Sequence, residues 1–292
     1  MADLSQYTVQ KLFDIKGWVT VVTGGGTGLG LITAKALAAN GAKVYVTGRR
    51  AEKLKDAELT DPASGGSIVG IQMDCTDKQS IEDGVKAIAA KEKFVNLLIN
   101  NAGQSSVNYG PKGFPTGDVK SISEEMLNNQ TFDDWLGIYK INVASYYFTS
   151  AAFLPLLTAA RDHGYPEAGS ILNISSISGI TKESQNGQFS YNASKAATIS
   201  LTEQLAVDFK RPGIEVRVNT LAPGYFPSEM TPIARDDGQQ KEHFRDMKGW
   251  GIPFGRAGEP ADYAQAVLNF AKNGYVTGST LVIDGGWLLA HA

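Results

Sequence analysis

The sequence predicts a single doubly wound α/β domain, with a parallel sheet of about seven strands covered by helices on both faces. Three observations predict it. Short apolar, β-branched runs alternate with helical stretches along the whole chain. Glycine is abundant, 32 of 292 residues, and is dispersed as tight strand-to-helix turns require rather than in a repeat. No linker-like composition interrupts the rhythm, so residues 1–292 read as one domain, with 1–11 as a flexible N-terminal tail.

Val19 to Thr23 is the first strand, succeeded by a helix reaching Asn40, a strand Val44 to Thr47, a helix near Lys53 and a strand Ile68 to Met73. A helix around Ile81 to Ala89, a strand Val95 to Ile99 and a long helix from about Phe132 to Leu157 continue the alternation. Strand Ser170 to Ile174, helix Tyr191 to Phe209, strand Glu215 to Leu221, a helix near Asp262 to Ala271 and strand Leu281 to Ile283 complete it. Two stretches break the pattern and are expected to be loops over a site. Residues 104–131 carry Gly110, Pro111, Gly113, Pro115 and Gly117, and 225–251 carry Pro227, Pro232 and Gly238. The second also holds Tyr225, Phe226, Phe244 and Trp250, aromatics that favour a lid over disorder.

Composition narrows the function classes. The chain is 42% hydrophobic and 20% charged, and no apolar run approaches the ~20 residues of a membrane span, so a soluble protein without a membrane partner is expected. A net charge of −3 without a basic block gives nucleic acid little reason to bind. Cys75 is the only cysteine, and the start MADLSQYTVQ has neither the basic nor the apolar region of a signal peptide. A cytoplasmic location is the resulting expectation. His163, His243 and His291 fall in no metal-ligand spacing, so no metal is expected and each is read as a solvated surface residue.

Two motifs and a strand end carry chemistry. Thr23-Gly24-Gly25-Gly26-Thr27-Gly28-Leu29-Gly30 comes directly after the first strand and opens the first helix, where backbone amides and the helix dipole can meet a pyrophosphate. It lacks the Gly-Lys-Ser/Thr of a phosphate-transfer loop, so a dinucleotide is the better ligand. After the second strand the chain reads Thr47-Gly48-Arg49-Arg50. A carboxylate for a free 2′-hydroxyl is missing there, and Arg49, with Arg50 beside it, suits a 2′-phosphate, so NADP is expected over NAD. Asp74 either receives an adenine amino group or caps a helix together with Thr76 and Asp77. Tyr191-Asn192-Ala193-Ser194-Lys195 sets a phenol and an ammonium on one helix face at i, i+4. For Tyr191 to act at neutral pH its acidity must rise by ~3 units, which takes roughly 4 kcal/mol of preferential phenolate stabilisation. The strand ending Asn173-Ile174-Ser175-Ser176 places Ser176 where it can donate to a carbonyl oxygen, with Ser175 and Ser178 as neighbouring alternatives. No Gly-x-Ser-x-Gly elbow supports a serine hydrolase.

These residues resemble the short-chain dehydrogenase/reductase family, whose TGxxxGxG is matched by Thr23 to Gly30, NNAG by Asn100 to Gly103, and YxxxK by Tyr191 to Lys195. The resemblance spans about Leu12 to Trp287 and implies a Rossmann-like fold with Asn142, Ser176, Tyr191 and Lys195 as the catalytic set. It implies that an NADP(H) cofactor is met by Gly24, Thr27, Gly28, Leu29, Gly30, Arg49, Asp74, Cys75, Asn101, Ala102 and Gly103. Tyr191, Lys195, Pro223, Gly224, Phe226 and Ser228 complete that expected surface, Ser228 standing where the family often has a carboxamide-binding threonine. The activity implied is hydride exchange with a small-molecule carbonyl or alcohol, Tyr191 being the acid/base and Asn142 anchoring a water that relays protons toward Lys195. A non-redox dinucleotide sensor, or an isomerase or dehydratase, stands as the alternative on the same fold. The resemblance also implies a homodimer or homotetramer built on the two long helices, where Tyr146, Tyr147, Phe148 and Phe153 lie. A helix presents only one stripe to its own core, so only some of the four can face inward.

Overall fold

Strands that are apolar on both sides need a cover on both sides, and this requirement arranges the chain. The computed structural model describes residues 4–106, 108–109, 113–228 and 248–291. The expectations for Gly110, Pro111, Pro232, Gly238, His243 and Phe244 lie outside them. The sheet comprises β1 (Val19–Thr23), β2 (Lys43–Gly48), β3 (Leu59–Thr60), β4 (Ser67–Gln72), β5 (Leu97–Asn100), β6 (Ser170–Ile174), β7 (Arg217–Pro223) and β8 (Thr280–Ile283). It is eight-stranded in the order β3-β4-β2-β1-β5-β6-β7-β8. All pairs are parallel except the short edge pair β3 with β4, so the expected parallel sheet is present with one antiparallel strand added.

Alternation along the strands feeds two cores. Val22, Val44, Val46, Ile99, Leu172 and Leu221 face α2 (Gly28–Ala39) and the late helix Pro260–Lys272, among Leu37, Tyr263, Val267 and Phe270. Val19, Val21, Leu98, Ile171 and Val218 face the other layer, among Ile88, Phe153, Leu157 and Leu205. The remaining helices are α1 (Val9–Leu12), α3 (Ala51–Ala57), α4 (Lys78–Ala89), α5 (Val119–Asn129), α6 (Phe132–Tyr139), α7 (Ser145–Thr158), α8 (Phe189–Phe209), α9 (the Pro260–Lys272 helix) and α10 (Trp287–Ala290). The chain walks outward from β1 through β2 to β4, then returns to the other side of β1 with β5. The order therefore reverses between β1 and β5, and the crevice at the carboxyl ends of those strands is where such a sheet binds ligands.

Four expectations change. The 104–131 stretch contains a helix, α5, whose N-terminus Asp118 caps by accepting from Ser121 N at 2.8 Å. Its apolar residues Val119, Met126 and Leu127 are exposed, so it leaves no core-facing period in the sequence. The long helix expected from Phe132 is broken by a π turn, Lys140–Ala144, between α6 and α7. By length and composition the helical run Phe132–His163 does qualify as apolar enough to cross a membrane. Its side chains Tyr146, Phe153 and Leu157 are buried in this chain's own core. The N-terminal tail forms a 3-10 turn, Leu4–Tyr7, and then α1, with no buried residue in either.

A chain of buried side-chain hydrogen bonds ties the layers beneath the crevice. Asn100 Nδ2 on β5 donates to Ser150 Oγ on α7 at 3.0 Å and to Asn173 Oδ1 on β6 at 2.8 Å. Asn173 Nδ2 then donates to Thr202 Oγ1 on α8 at 2.9 Å, and Thr220 Oγ1 on β7 reaches the same hydroxyl at 2.8 Å. Replacing one member with an apolar residue leaves its partners buried and unsatisfied. Asn173→Leu should lower unfolding stability by about 2–5 kcal/mol in urea melts; a loss near zero would mean the network relaxes around the change.

Candidate active site

Thr23, the last residue of β1, organises the dinucleotide end. Its Oγ1 accepts from the backbone N–H groups of Asn101 and Ala102, both at 3.0 Å, and so ties the loop after β5 to the glycine turn. Asn101 Nδ2 donates to the carbonyls of Thr23 and Gly24 at 2.9 and 3.2 Å, which makes its side chain a strut. Gly24 has φ +64°, and a Cβ on Gly30 would overlap the Gly24 carbonyl and the Asn101 amide. Glycine at these positions lets α2 start close under the turn. Thr27 sits at the N-cap without capping through its side chain, which instead accepts from Arg50 Nη2 at 3.3 Å, so the first amides of α2 remain directed into the crevice.

One cleft of about 820 Å³ joins this turn to the β6 end of the sheet. Every residue expected at the cofactor lines it: Gly24, Thr27, Gly28, Leu29, Gly30, Arg49, Asp74, Cys75, Asn101, Ala102, Gly103, Tyr191, Lys195, Pro223, Gly224, Phe226 and Ser228. Arg49 and Arg50 are exposed at its β2 end. Asp77 is the cap of α4, accepting from Ser80 N at 2.7 Å, whereas Asp74 accepts from Thr76 N and Oγ1 at 2.9 and 2.8 Å and faces the cleft. That decides against capping for Asp74. Burial disfavours its charge, yet the two Thr76 bonds and the Arg49 and Lys140 charges hold its carboxyl below the usual range. Cys75 is buried beside it, and burial pushes its thiol up. Phe226 packs edge-on against Tyr263, with ring centroids 5.6 Å apart, and Ser228 stands next to Gly28.

At the other end stand the residues expected to do chemistry. Of the three serines, Ser175 turns inward and donates to the Lys195 carbonyl at 2.7 Å, while Ser178 leans on Ser176 at 3.2 Å. Ser176 lies with Tyr191 on the cleft wall, where its hydroxyl acts to lower the phenol's pKa, and it accepts from the Ser178 N–H at 3.1 Å. Lys195 Nζ donates to the Ile174 carbonyl at 2.8 Å and sits 5.8 Å from the centre of the Tyr191 ring. Asn142 lies in the π turn, fully buried. Its amide clamps Gln104, accepting from its N–H and donating to its carbonyl, both at 3.0 Å, and also donates to Ser194 Oγ at 2.9 Å. Its contacts therefore hold the start of the 104–131 segment against the cleft.

Lys53, Gln104, Ser105 and Ile141 also line the cleft and carried no motif that could have singled them out. Two groups of aromatic rings pack outside the residues that line the cleft. Phe114 meets Tyr109 and Phe189 edge-on at 5.6 and 6.0 Å, so the 104–131 segment packs on the start of α8. After β7, Tyr225 meets Trp250 at 5.1 Å, and the Trp250 carbonyl accepts from Trp287 Nε1 at 3.1 Å. His291 is not the solvated residue expected. Its ring stacks on Trp287 with centroids 3.8 Å apart, and its Nδ1 lies 3.0 Å from Glu183 Oε1. His163 is exposed, as expected.

Comparison with known proteins agrees with this geometry. Residues 18–239 match the model of the short chain dehydrogenase family. A short-chain dehydrogenase/reductase of Byssochlamys spectabilis, VdtF, is 33% identical over 309 residues, 96% of each chain. Among solved structures, the Pseudomonas aeruginosa RhlG/NADP active-site complex superposes with TM-score 0.75 at 27% identity, over 94% of this chain and 98% of that one. An NADPH-dependent 3-quinuclidinone reductase from Rhodotorula rubra does so with TM-score 0.74 at 26% identity, over 99% and 97%. The chain belongs to the short-chain dehydrogenase family. It is accordingly an oxidoreductase that binds a nicotinamide dinucleotide and acts on a small molecule.

Burial sets the resting charge of the site. It pushes the Tyr191 phenol up, against the lowering effect of the Ser176 hydrogen bond, and pushes the Lys195 ammonium down from 10.5 to about 7. An unfolded chain keeps that lysine protonated to a higher pH, so above the folded midpoint it binds more protons than the native state, and native stability rises with pH. In cofactor-free protein, wild type should gain about 2 kcal/mol relative to Lys195→Met between about pH 7 and about pH 9. Urea melts at the two pH values read the difference; parallel pH dependences would remove Lys195 as the titrating group.

Proposed function

We propose that this chain is an NADP(H)-dependent oxidoreductase that reduces a ketone to a secondary alcohol, or runs the reverse reaction, with Tyr191 as acid/base. The observation that carries the reading is the meeting of Ser176, Tyr191 and Lys195 in the same cleft as the Gly24–Gly30 turn and Arg49. The protein fits the cofactor class: α2 offers backbone amides over a turn whose glycines exclude side chains, and the two guanidinium groups lining the β2 end of the cleft support a ligand with a 2′-phosphate. Of the two solved relatives, one is an NADP complex and the other is described as NADPH-dependent, which supports the same preference.

When bound, the dihydronicotinamide supplies the hydride. Ser176 donates a hydrogen bond to the substrate carbonyl oxygen as negative charge builds on it, and Tyr191 donates its proton to that oxygen, completing the O–H bond of the alcohol. Lys195, anchored on Ile174, would hold the cofactor's ribose hydroxyls and would stabilise the phenolate left on Tyr191. Asn142 keeps Gln104 and Ser105 at the substrate side through its clamp. The rings of Tyr109, Phe114 and Phe189 cluster at the start of α8, two residues before Tyr191 at the nearest, which supports a ketone with a largely apolar body.

The proposal extends to a homodimer or homotetramer through α7 and its neighbour, because Tyr147 and Phe148 are about half exposed while Tyr146 and Phe153 are buried. A monomeric mass by light scattering at micromolar concentration would remove that part. For the chemistry, fluorescence titration should find NADPH bound more tightly than NADH, with the preference falling at least ~10-fold in Arg49→Ala. Tyr191→Phe should lose turnover of any active ketone while keeping NADPH affinity within a few-fold. Near-normal turnover in Tyr191→Phe, or binding of neither cofactor by wild type, would sink the proposal.

A further inference from the structure

Asn142, Ser176 and Tyr191 do not account for everything that surrounds Lys195. Behind it, on the first turn of α7, lies Tyr146, 1% exposed and one of the largest buried side chains of the molecule. Its hydroxyl donates to the Ile174 carbonyl at 3.1 Å, the same oxygen that accepts from Lys195 Nζ at 2.8 Å. A carbonyl oxygen has two lone pairs, and these two donors occupy both. The Lys195 Nζ also stands 5.8 Å from the centre of the Tyr146 ring, matching its 5.8 Å distance to the ring of Tyr191. The ammonium is therefore flanked by two aromatic rings, one at the cleft wall and one inside the core.

A lysine side chain has four rotatable bonds, and one anchored on a single acceptor can pivot about it. A ring behind the ammonium and a second donor on the shared carbonyl remove that freedom. We propose that Tyr146 is a positioning residue: by flanking the ammonium and sharing the Ile174 carbonyl, it holds Lys195 on the side facing Tyr191. This rests on the reading of Tyr191 and Lys195 as the acid/base pair, and it adds a residue that the motif pattern does not contain.

The ring also acts on charge. Burial alone drives the Lys195 ammonium down, and the negative face of an aromatic ring opposes that by favouring the cation. The titratable groups around this pocket are Tyr146 on α7, Tyr191 on α8, Cys75 after β4 and Tyr263 on α9, the last three acting on Tyr146. Burial is the cause identified for the Lys195 shift, with no carboxylate acting on it among the described residues. With an aliphatic side chain filling its place so that burial is kept, loss of the Tyr146 ring therefore moves the ammonium toward deprotonation at lower pH.

The test compares Tyr146→Phe, which keeps the ring, with Tyr146→Leu, which removes it. The Lys195 resonance, labelled with ¹³C at Cε and assigned by its loss in Lys195→Met, is titrated by NMR without cofactor. Its midpoint should fall by about one pH unit in Tyr146→Leu and by much less in Tyr146→Phe, the size expected of a desolvated cation–π contact. With NADPH and a ketone, Tyr146→Leu should lower kcat about tenfold or more with KM little changed, and the alkaline limb of its pH profile should move the same way. A folded Tyr146→Leu protein with the wild-type midpoint and profile would overturn the proposal, leaving Tyr146 as core filling. If Tyr146→Leu does not fold, Tyr146→Met takes its place under the same criterion. Should no ketone be turned over by wild type, the functional reading fails by itself, because the NMR titration needs no turnover.

Discussion

The site depends on a line of amide and hydroxyl groups that crosses the core where only apolar contacts would be expected. Asn100, Asn173, Thr202 and Thr220 join three adjacent strands to α8, and Ser150 adds α7. Apolar packing tolerates small sliding of helix on sheet, because one methyl contact replaces another at little cost. A hydrogen-bonded chain does not, since each displaced pair leaves a donor in low dielectric. Fixed in this way, α8 presents Tyr191 and Lys195 at a constant height above the strand end that carries Ser176. The carboxyl edge of a parallel sheet supplies a crevice in any protein of this architecture; here the buried amides give it one geometry.

The electrostatics of the site run against the charges that the proposed chemistry uses. Burial disfavours a phenolate at Tyr191 and an ammonium at Lys195 alike. The pair at rest is thus held toward its neutral forms, with Tyr191 in the state that can give a proton. In the proposed reaction, negative charge developing on a substrate oxygen would meet an undissociated phenol and a serine hydroxyl whose positions are already determined. Little reorganisation accompanies the transfer, which is the condition under which a dry site stabilises a transition state.

Much of this was legible in the sequence because it lies in residues whose type is dictated locally. Gly24 and Gly30 announce a backbone that approaches itself, Tyr191 and Lys195 share a helix face by spacing alone, and the strands show as unbroken apolar runs. The features that escaped depend on contacts between distant segments. Asn142 is expected at the site by resemblance, but its clamp on Gln104 is not, because that contact joins a π turn to a segment 38 residues earlier in the chain. Helix α5 leaves its apolar residues in solvent, so the periodicity that would reveal a helix has no core to face. His291 has no local pattern, because its neighbours are a ring four residues away and a carboxylate 108 residues away. Asp74 and Asp77 are equivalent by composition, and only the direction of the chain after β4 separates the cap from the cleft residue.

The π turn at Lys140–Ala144 bears on how this helix can change over generations. Such a turn amounts to one residue more than regular helix would hold, so α7 is offset by ~100° about the axis relative to α6. Exchange of one side chain for another leaves that count alone. Loss of any one residue between Tyr139 and Ser145 would restore a regular helix, rotate Phe132, Trp135 and Leu136 relative to α7, and carry Asn142 away from Gln104. Apart from Asn142, whose own amide makes the clamp, the segment is therefore constrained by its length more than by its side chains. In an alignment of relatives, a gap here would mark a change in how the start of the 104–131 segment is held, as would a change at Asn142.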